Sequence, residues 1–477
     1  MTTAPAIVWF RHDLRLRDNP ALAAALATAR PVVPVFVWSP EEEGEWAPGG
    51  ASRWWLHHSL AALETALRRH GSRLLLRRGP ARATLRALAR ETGAGAVYWN
   101  RRYEPAGIAH DTATKQALLD DGLDVKSFSA TLLHEPTRVQ NQSGRPFQVF
   151  TPFWKHCAAL PVRDAVAFTW NTLPTPARWP RSESLEDFAL RPKVPWDREF
   201  SAHWQPGEAG AQAALARFVA EAMDDYATGR DHPARAGTSR LSPYLRWGEI
   251  SPVQVWHAVR AAKRGRGRDA DVFLSEVGWR EFAYHLLFHF PHTVTEPLRP
   301  EFARFPWVED ATLLRAWQRG RTGFPIVDAG LRQLWRTGWM HNRVRMIAAS
   351  LLVKHLLQPW TAGAAWFWDT LVDADLANNS ASWQWVAGCG TDAAPYFRVF
   401  NPVLQGLKFD GDGDYVRRWV PELAKLPDVW LHRPWEAPAD VLAAAGVRLG
   451  RDYPAPIVDL NDGRARALAA FETIKAG

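Results

Sequence analysis

Over the first 130 residues, apolar positions form short runs that alternate with stretches of helical period. The runs at Ala6–Phe10, Val32–Trp38, Arg73–Arg77, Ala96–Trp99 and Val125–Phe128 are rich in β-branched and aromatic residues, the composition of buried strands. Between them, Asn19–Ala29, Ser52–Arg69, Ala81–Thr92 and Ile108–Asp121 carry apolar residues at helical spacing, and Gly122 closes the last. Strand and helix in strict alternation predict an α/β domain, a parallel sheet with helices on both faces. The first strand-to-helix turn, FRHDLRLRDNP, has no glycine fingerprint. A dinucleotide pyrophosphate lacks its usual seat there, which excludes a nicotinamide oxidoreductase built on this domain.

Residues 131–207 are dense in proline and read as a connector wrapped over the surface. From 208 onward the strand pattern nearly vanishes. Ser242-Pro243 and Ser251-Pro252 each place an N-cap residue before a proline suited to the first helical position. The predicted organisation is therefore an α/β domain over 1–130, a connector over 131–207 and an all-α domain over 208–477. Lys263–Arg268 (KRGRGR) reads as a solvated loop, with phosphate contact as its alternative.

Composition changes this picture in three ways. The chain has 477 residues, 47% hydrophobic and 23% charged, which suits two or three soluble globular units. No apolar run approaches the ~20 residues of a membrane span, the N-terminus does not read as a signal peptide, and two cysteines make no disulfide framework. A cytoplasmic monomer with no membrane association, no required protein partner and no metal is expected. The formal net charge of +8 favours polyanions, although an arginine-rich composition alone would produce it. Twenty-six tryptophans mostly belong to the core, and some are available to stack on bases or a flat cofactor.

Four segments carry the candidate chemistry. Tyr226 and Arg230 precede Gly237–Leu245 (GTSRLSPYL), a small-residue turn feeding a helix, which suits a pyrophosphate or is simply a cap. In Phe273–Pro291, Glu276, Trp279, Arg280 and Ala283 share one helical face, either a floor for a planar ligand or a core tryptophan beside an ion pair. In Gly338–Leu352, Asn342 and Met346 share a face with Arg345 beside them, and Arg343 points elsewhere. Two arginines in an apolar helix need anionic partners, for which Asp373 and Asp375 are the candidates. In Leu371–Trp385 (LVDADLANNSASWQW), Asn379 and Trp383 share a face, whereas Trp383 and Trp385, two apart, point in nearly opposite directions.

With these segments in hand, the chain resembles the photolyase and cryptochrome family from end to end. It carries WFRHDLRLRDNPAL (Trp9–Leu22), then TSRLSPYL, GWREF, TGFPIVDAGLRQL, GWMHNRVRM, DADLANNSASWQW and GTDAAPYFRVFNPVLQGLKFD (Gly390–Asp410), in order over some 400 residues. The resemblance implies an α/β antenna domain and a helical domain that holds FAD. It implies that Tyr226, Thr238, Ser239, Arg240, Leu241 and Ser242 hold the FAD phosphates and ribityl chain. It places Asn342, Arg345, Asp373, Ala374, Asp375 and Asn379 on the cofactor side, most of them around the isoalloxazine. Trp383, Trp360 and Trp307 match the family's electron-transfer chain from flavin to surface. Trp279 and Trp385 would flank a flipped-out pyrimidine dimer, with Arg230, Glu276, Arg280, Asn342, Arg343, Met346 and Gln405 lining the pocket or touching phosphate. Photolyases are among the enzymes known to flip their target base.

Two positions discriminate within the family. Plant-type cryptochromes usually carry an aspartate facing flavin N5, able to protonate the semiquinone, and this chain has Asn379. Enzymes for the (6-4) photoproduct carry a histidine pair in the lesion pocket, and here those positions are Asn342 and Met346. The expected activity is therefore splitting of cyclobutane pyrimidine dimers in UV-damaged DNA. A blue-light photoreceptor or a (6-4) photolyase is the alternative. Phe36–Leu60 resembles plant cryptochromes and their nearest bacterial photolyase relatives. After Tyr103-Glu104, Pro105-Ala106-Gly107 replaces the acidic residue that contacts the pterin in folate-binding enterobacterial members. The expected antenna is methenyltetrahydrofolate in another pose, with a deazaflavin second.

Overall fold

The computed structural model describes residues 3–262, 267–392 and 397–475; most of the KRGRGR loop, 263–266, and part of Gly390–Asp410, 393–396, lie outside the described residues. Five parallel strands, β1 (Ala6–Phe10), β2 (Val32–Trp38), β3 (Leu75–Arg78), β4 (Ala96–Asn100) and β5 (Asp124–Phe128), form one sheet of order β3-β2-β1-β4-β5. The central strand β1 is buried throughout, and its Ile7 lies between Val33 of β2 and Val97 of β4. Helices α1 (Pro20–Ala27), α2 (Gly50–Arg69), α3 (Ala81–Thr92) and α4 (Pro105–Asp120) make the crossovers. Their ends follow local chemistry. Asn19 caps α1 by accepting from the Leu22 N–H, and α3 stops at Gly93, whose φ of 62° glycine adopts without strain. The third strand starts later than the apolar run, because the Leu74 N–H is taken by the Glu64 carboxylate.

The strand order reverses between β1 and β4, where such sheets usually leave a crevice for a ligand. Here paired charges gather at that point. Arg11 pairs with Asp111, Arg102 with both Glu43 and Glu104, and Asn100 donates to Asp13. Burial and the neighbouring arginines keep His12, at the end of β1, neutral down to about pH 3.

Two compact units share the chain: 1–224 with 239–291 and 372–375, and 225–238 with 292–371 and 376–477. The first unit holds the sheet. The proline-dense segment expected as a surface connector contains α5 (Phe150–Ala159), which buries Phe153 and Cys157. Its Phe150–Phe153–Cys157 stripe has helical spacing, obscured in the sequence by flanking prolines. Phe153 lies 5.0 Å from Phe282 of helix Arg268–His289 in the same unit. Ser251 builds the expected capping box with Gln254. Ser242, by contrast, is not a cap: Leu241 occupies that position, and the Ser242 hydroxyl is spent on Asp373.

The second unit is helical, with a single isolated bridge, Leu449 to Tyr453, and no strand among the described residues. No described helix is long and apolar enough to cross a membrane.

Candidate functional site

Helix Arg268–His289 of the first unit starts with Asp269 and Asp271 in its first turn, which complements the helix dipole. Trp279 projects from it with 36% exposure, and its ring stacks on Phe150 at 3.7 Å and 10°. Phe150 thus covers one indole face and fixes the plane of the other. Glu276, one turn earlier, is half-buried. Arg280 turns inward: its guanidinium donates to the Thr131 carbonyl at 2.7 Å and lies over the Tyr284 ring. Beside it, buried Glu281 accepts the backbone N–H of Leu133 and His134, and desolvation pushes its carboxyl up to about 7. Only an acid within an apolar helix pattern could have signalled Glu281 in the sequence.

In the same unit, Val372–Asp375 meets the turn that follows residue 238. Ser242 donates to Asp373 at 2.6 Å, Arg246 Nε donates to the Ala374 carbonyl at 2.6 Å, and the Tyr284 hydroxyl donates to Asp375. Ser239 Oγ accepts from the N–H of buried Leu241. Arg240 has a φ of 52°, strained for a side chain with a Cβ, and its guanidinium rests 4.1 Å over Trp204. Asp373 and Asp375 interrupt an apolar segment, and each accepts a hydrogen bond from a hydroxyl, Ser242 and Tyr284 respectively.

In the second unit, Gly237 packs backbone to backbone on Gly229; a Cβ on Gly237 would stand 2.4 Å from the Gly229 carbonyl oxygen. Half-buried Thr238 follows, and buried Tyr226 lies under the Arg230 guanidinium at 5.4 Å. Helix Asn342–Ser350 is capped by His341, whose Nδ1 accepts the Arg343 N–H. Burial and the charges of Arg345 and Arg343 lower His341 to about 4, so it stays a neutral cap. Asn342 is exposed and Met346 half-buried. The expected pairing of Arg343 with Asp373 or Asp375 is corrected: its partner is Asp231 at 2.6 Å, and its guanidinium lies 4.4 Å over Phe409. Asp231 is 112 positions away and shares no pattern with Arg343, so spacing could not reveal it. Arg345 Nε donates to the Met340 carbonyl at 2.7 Å.

Helix Leu376–Ala387 carries Asn379, whose Nδ2 donates to the Ala364 carbonyl at 3.0 Å. Trp383, 2% exposed, lies against helix Trp360–Thr370 at Gly363, where a Cβ would stand 2.1 Å from its ring. Trp385 is half-buried and its Nε1 donates to the Asp392 carbonyl. The two indoles do face different environments. Trp360 is 4% exposed and Trp307 is half-buried, so exposure rises along the Trp383, Trp360, Trp307 series. Gln405 is half-buried on helix Pro402–Phe409.

The candidate residues divide between the two units: the first carries hydroxyls, carboxylates and guanidiniums, and the second adds the amides of Asn342 and Asn379, all group types that suit a flavin nucleotide. Residues 6–177 match the family described as DNA photolyase, and residues 273–473 match the FAD binding domain of DNA photolyase. Across 477 residues the chain is 54% identical to the deoxyribodipyrimidine photo-lyase of Agrobacterium fabrum, covering 100% of this chain and 99% of that protein. The chain belongs to the DNA photolyase and cryptochrome family. A crystal structure of a bacterial class III photolyase from Agrobacterium tumefaciens superposes with a TM-score of 0.97 at 53% identity, over 100% of this chain and 99% of that one. Cryptochrome-1 of Arabidopsis thaliana is 41% identical over 97% of this chain and 69% of its own length. As a photolyase-family chain it has the FAD-binding domain over its C-terminal part, and the helical fold there agrees with that.

Proposed function

We propose that this protein is a deoxyribodipyrimidine photo-lyase, a light-driven carbon–carbon lyase that splits cyclobutane pyrimidine dimers in UV-damaged DNA. The full-length 54% identity to a curated enzyme of that activity carries the reading. Bound reduced FAD supplies light absorption and the transferred electron. The chain's own residues supply the rest. Gly237 permits a backbone-only turn beside Thr238, a cradle that suits phosphate, and Ser242, Asp373, Asp375 and Arg345 supply matching polar groups for the flavin. Asn379 is an amide anchored at Ala364; it holds an orientation but cannot act as an acid.

On the substrate side, Trp279 offers one flat face backed by Phe150, and Trp385 offers a second indole. A dimerised lesion stacks and pairs poorly, so its extrusion costs less than that of normal bases, which supplies part of the selectivity. Asn342 and Met346, in place of a histidine pair, favour the cyclobutane lesion over the (6-4) photoproduct. Trp383, Trp360 and Trp307 are the residues for electron delivery to an oxidised flavin. The antenna reading is methenyltetrahydrofolate, with a deazaflavin second. Glu104 is locked between Arg102 and His12, which agrees with a pose unlike the enterobacterial one.

Reduced holoprotein mixed with dimer-containing oligonucleotide is expected to restore monomers under blue light and not in darkness. Asn379→Asp should slow that repair at least tenfold and change the redox titration of the bound flavin. No monomer recovery from the parent protein would favour the photoreceptor alternative, for which the 41% identity to an Arabidopsis cryptochrome speaks.

A further inference from the structure

The second unit contains a cavity of about 410 Å³ outside the candidate residues just described, except that Trp385 forms part of its wall. Lys354 lines it and is only 1% exposed. Its Nζ donates to the Ala387 carbonyl at 2.7 Å and sits 3.1 Å from the centroid of Phe397, and no carboxylate pairs with it among the described residues. A lysine so buried without an anion is costly, and burial drives it well below the ordinary amine range. Such expense is commonest where a ligand or reaction uses the group.

The backbone around it is unusual in its own right. Lys354 lies on a π-helical turn, Leu351–His355, that prolongs helix Asn342–Ser350, and Leu357 follows with a φ of 53°. Both features are strained or rare, and both gather at functional sites. The rest of the wall is mixed, with aromatic and cationic side chains beside Glu301, Ser350, Val386 and Ile474. Phe397 and Phe471 are stacked at 4.5 Å and 9°, and Arg398 stands with them. Arg299 also lines the cavity but is already paired with Glu301 at 2.9 Å.

We propose that this cavity binds a planar aromatic anion of nucleoside monophosphate size, its ring against Trp385 and the phenylalanines and its charge on Arg398. Lys354 donates to it from the floor. The volume falls within the range of small-ligand sites, guanidinium suits phosphate, and aromatic walls accept any base face. The same chemistry could come from a free nucleotide or from a nucleotide within a DNA strand.

Pyridoxal 5′-phosphate, an aromatic anionic aldehyde, is a direct probe. The Lys354 amine adds to the aldehyde carbon, a C=N bond forms and water leaves; borohydride then delivers hydride to the imine carbon and locks a secondary amine. Holoprotein treated in darkness and mapped by mass spectrometry should carry the label on Lys354 at least tenfold over exposed Lys425. Protection by thymidine 5′-monophosphate supports the site with a free nucleotide as ligand. Protection only by an undamaged single-stranded oligonucleotide supports it with a strand nucleotide. Labelling confined to exposed lysines, or labelling of Lys354 that neither competitor reduces, overturns the proposal. Arg398→Ala should weaken protection about tenfold. The readout uses no light, so it is independent of whether dimers are repaired, and competition on the parent protein requires no substitution at Lys354.

Discussion

At the scale of single residues, one absent methyl group decides where Trp383 lies. Gly363 lets the indole cross helix Trp360–Thr370 at a distance no other residue tolerates. Gly363→Ala should cost about 1–3 kcal/mol through overpacking. It should also slow light-driven reduction of the bound oxidised flavin severalfold, because Trp383 must move; denaturant melts and flash photolysis measure the two. Intact photoreduction in a destabilised variant would separate Trp383 from electron delivery. The two-residue offset between Trp383 and Trp385 was legible in the sequence, since it rests on helical geometry alone, and their exposures differ as that geometry requires. The partner of Arg343 was not legible. An ion pair across 112 positions leaves no local trace.

At the scale of elements, the pairing of α5 with helix Arg268–His289 matters most for the lesion-facing side. Phe150 supplies a flat aromatic backing that Trp279 alone lacks. Phe150→Leu keeps much of the volume and loses the stack, worth about 0.5–1.5 kcal/mol. Dark affinity for a dimer-containing duplex should fall about threefold to tenfold, read by fluorescence anisotropy, while affinity for undamaged duplex stays the same. Equal losses on both duplexes would make Phe150 a general packing residue. The sequence pattern announced a helix over Phe273–Pro291, which the structure places at Arg268–His289, but treated the segment holding α5 as a connector. Prolines dominate that segment, and its short apolar stripe becomes a helix only because another helix is there to cover it.

At the scale of the whole molecule, buried titratable groups set the pH range of stability. Burial keeps His12 and His285 neutral to about 3, and His58, His341 and His355 to about 4. Their folded pKa values lie below the ordinary 6.5, so stability falls as acid protonates the unfolded chain preferentially below that pH. Glu249 and Glu281 act in the opposite sense. Their folded values, about 8 and about 7, lie above 4.5, so the stability they contribute is full below 4.5 and is lost as pH rises through 7 and 8. Thermal stability should peak near pH 6.5 and decline toward 8.5, and Glu249→Gln should flatten the alkaline limb. An unchanged limb in that variant would assign the decline to other groups. The net charge of +8 acts at the same scale, predicting DNA binding that weakens steeply with salt.

Local rules account for what the sequence by itself determined. Hydrophobic period, caps and turn residues act within a few positions, and they yielded the α/β sheet, its parallel sense, the helical C-terminal part and the segments that hold the candidate residues. The ordered motifs added the family, which no period or composition carries. Tertiary structure alone decided the partners: Asp231 for Arg343, Phe150 for Trp279, a hydroxyl donor for each of Asp373 and Asp375, a charge network at the strand-order reversal, and a buried lysine held on the Ala387 carbonyl in a cavity wall. These contacts form between segments tens to hundreds of residues apart. Their energies depend on which surfaces meet after the chain has packed, and that information is spread over the whole sequence rather than held at any one site.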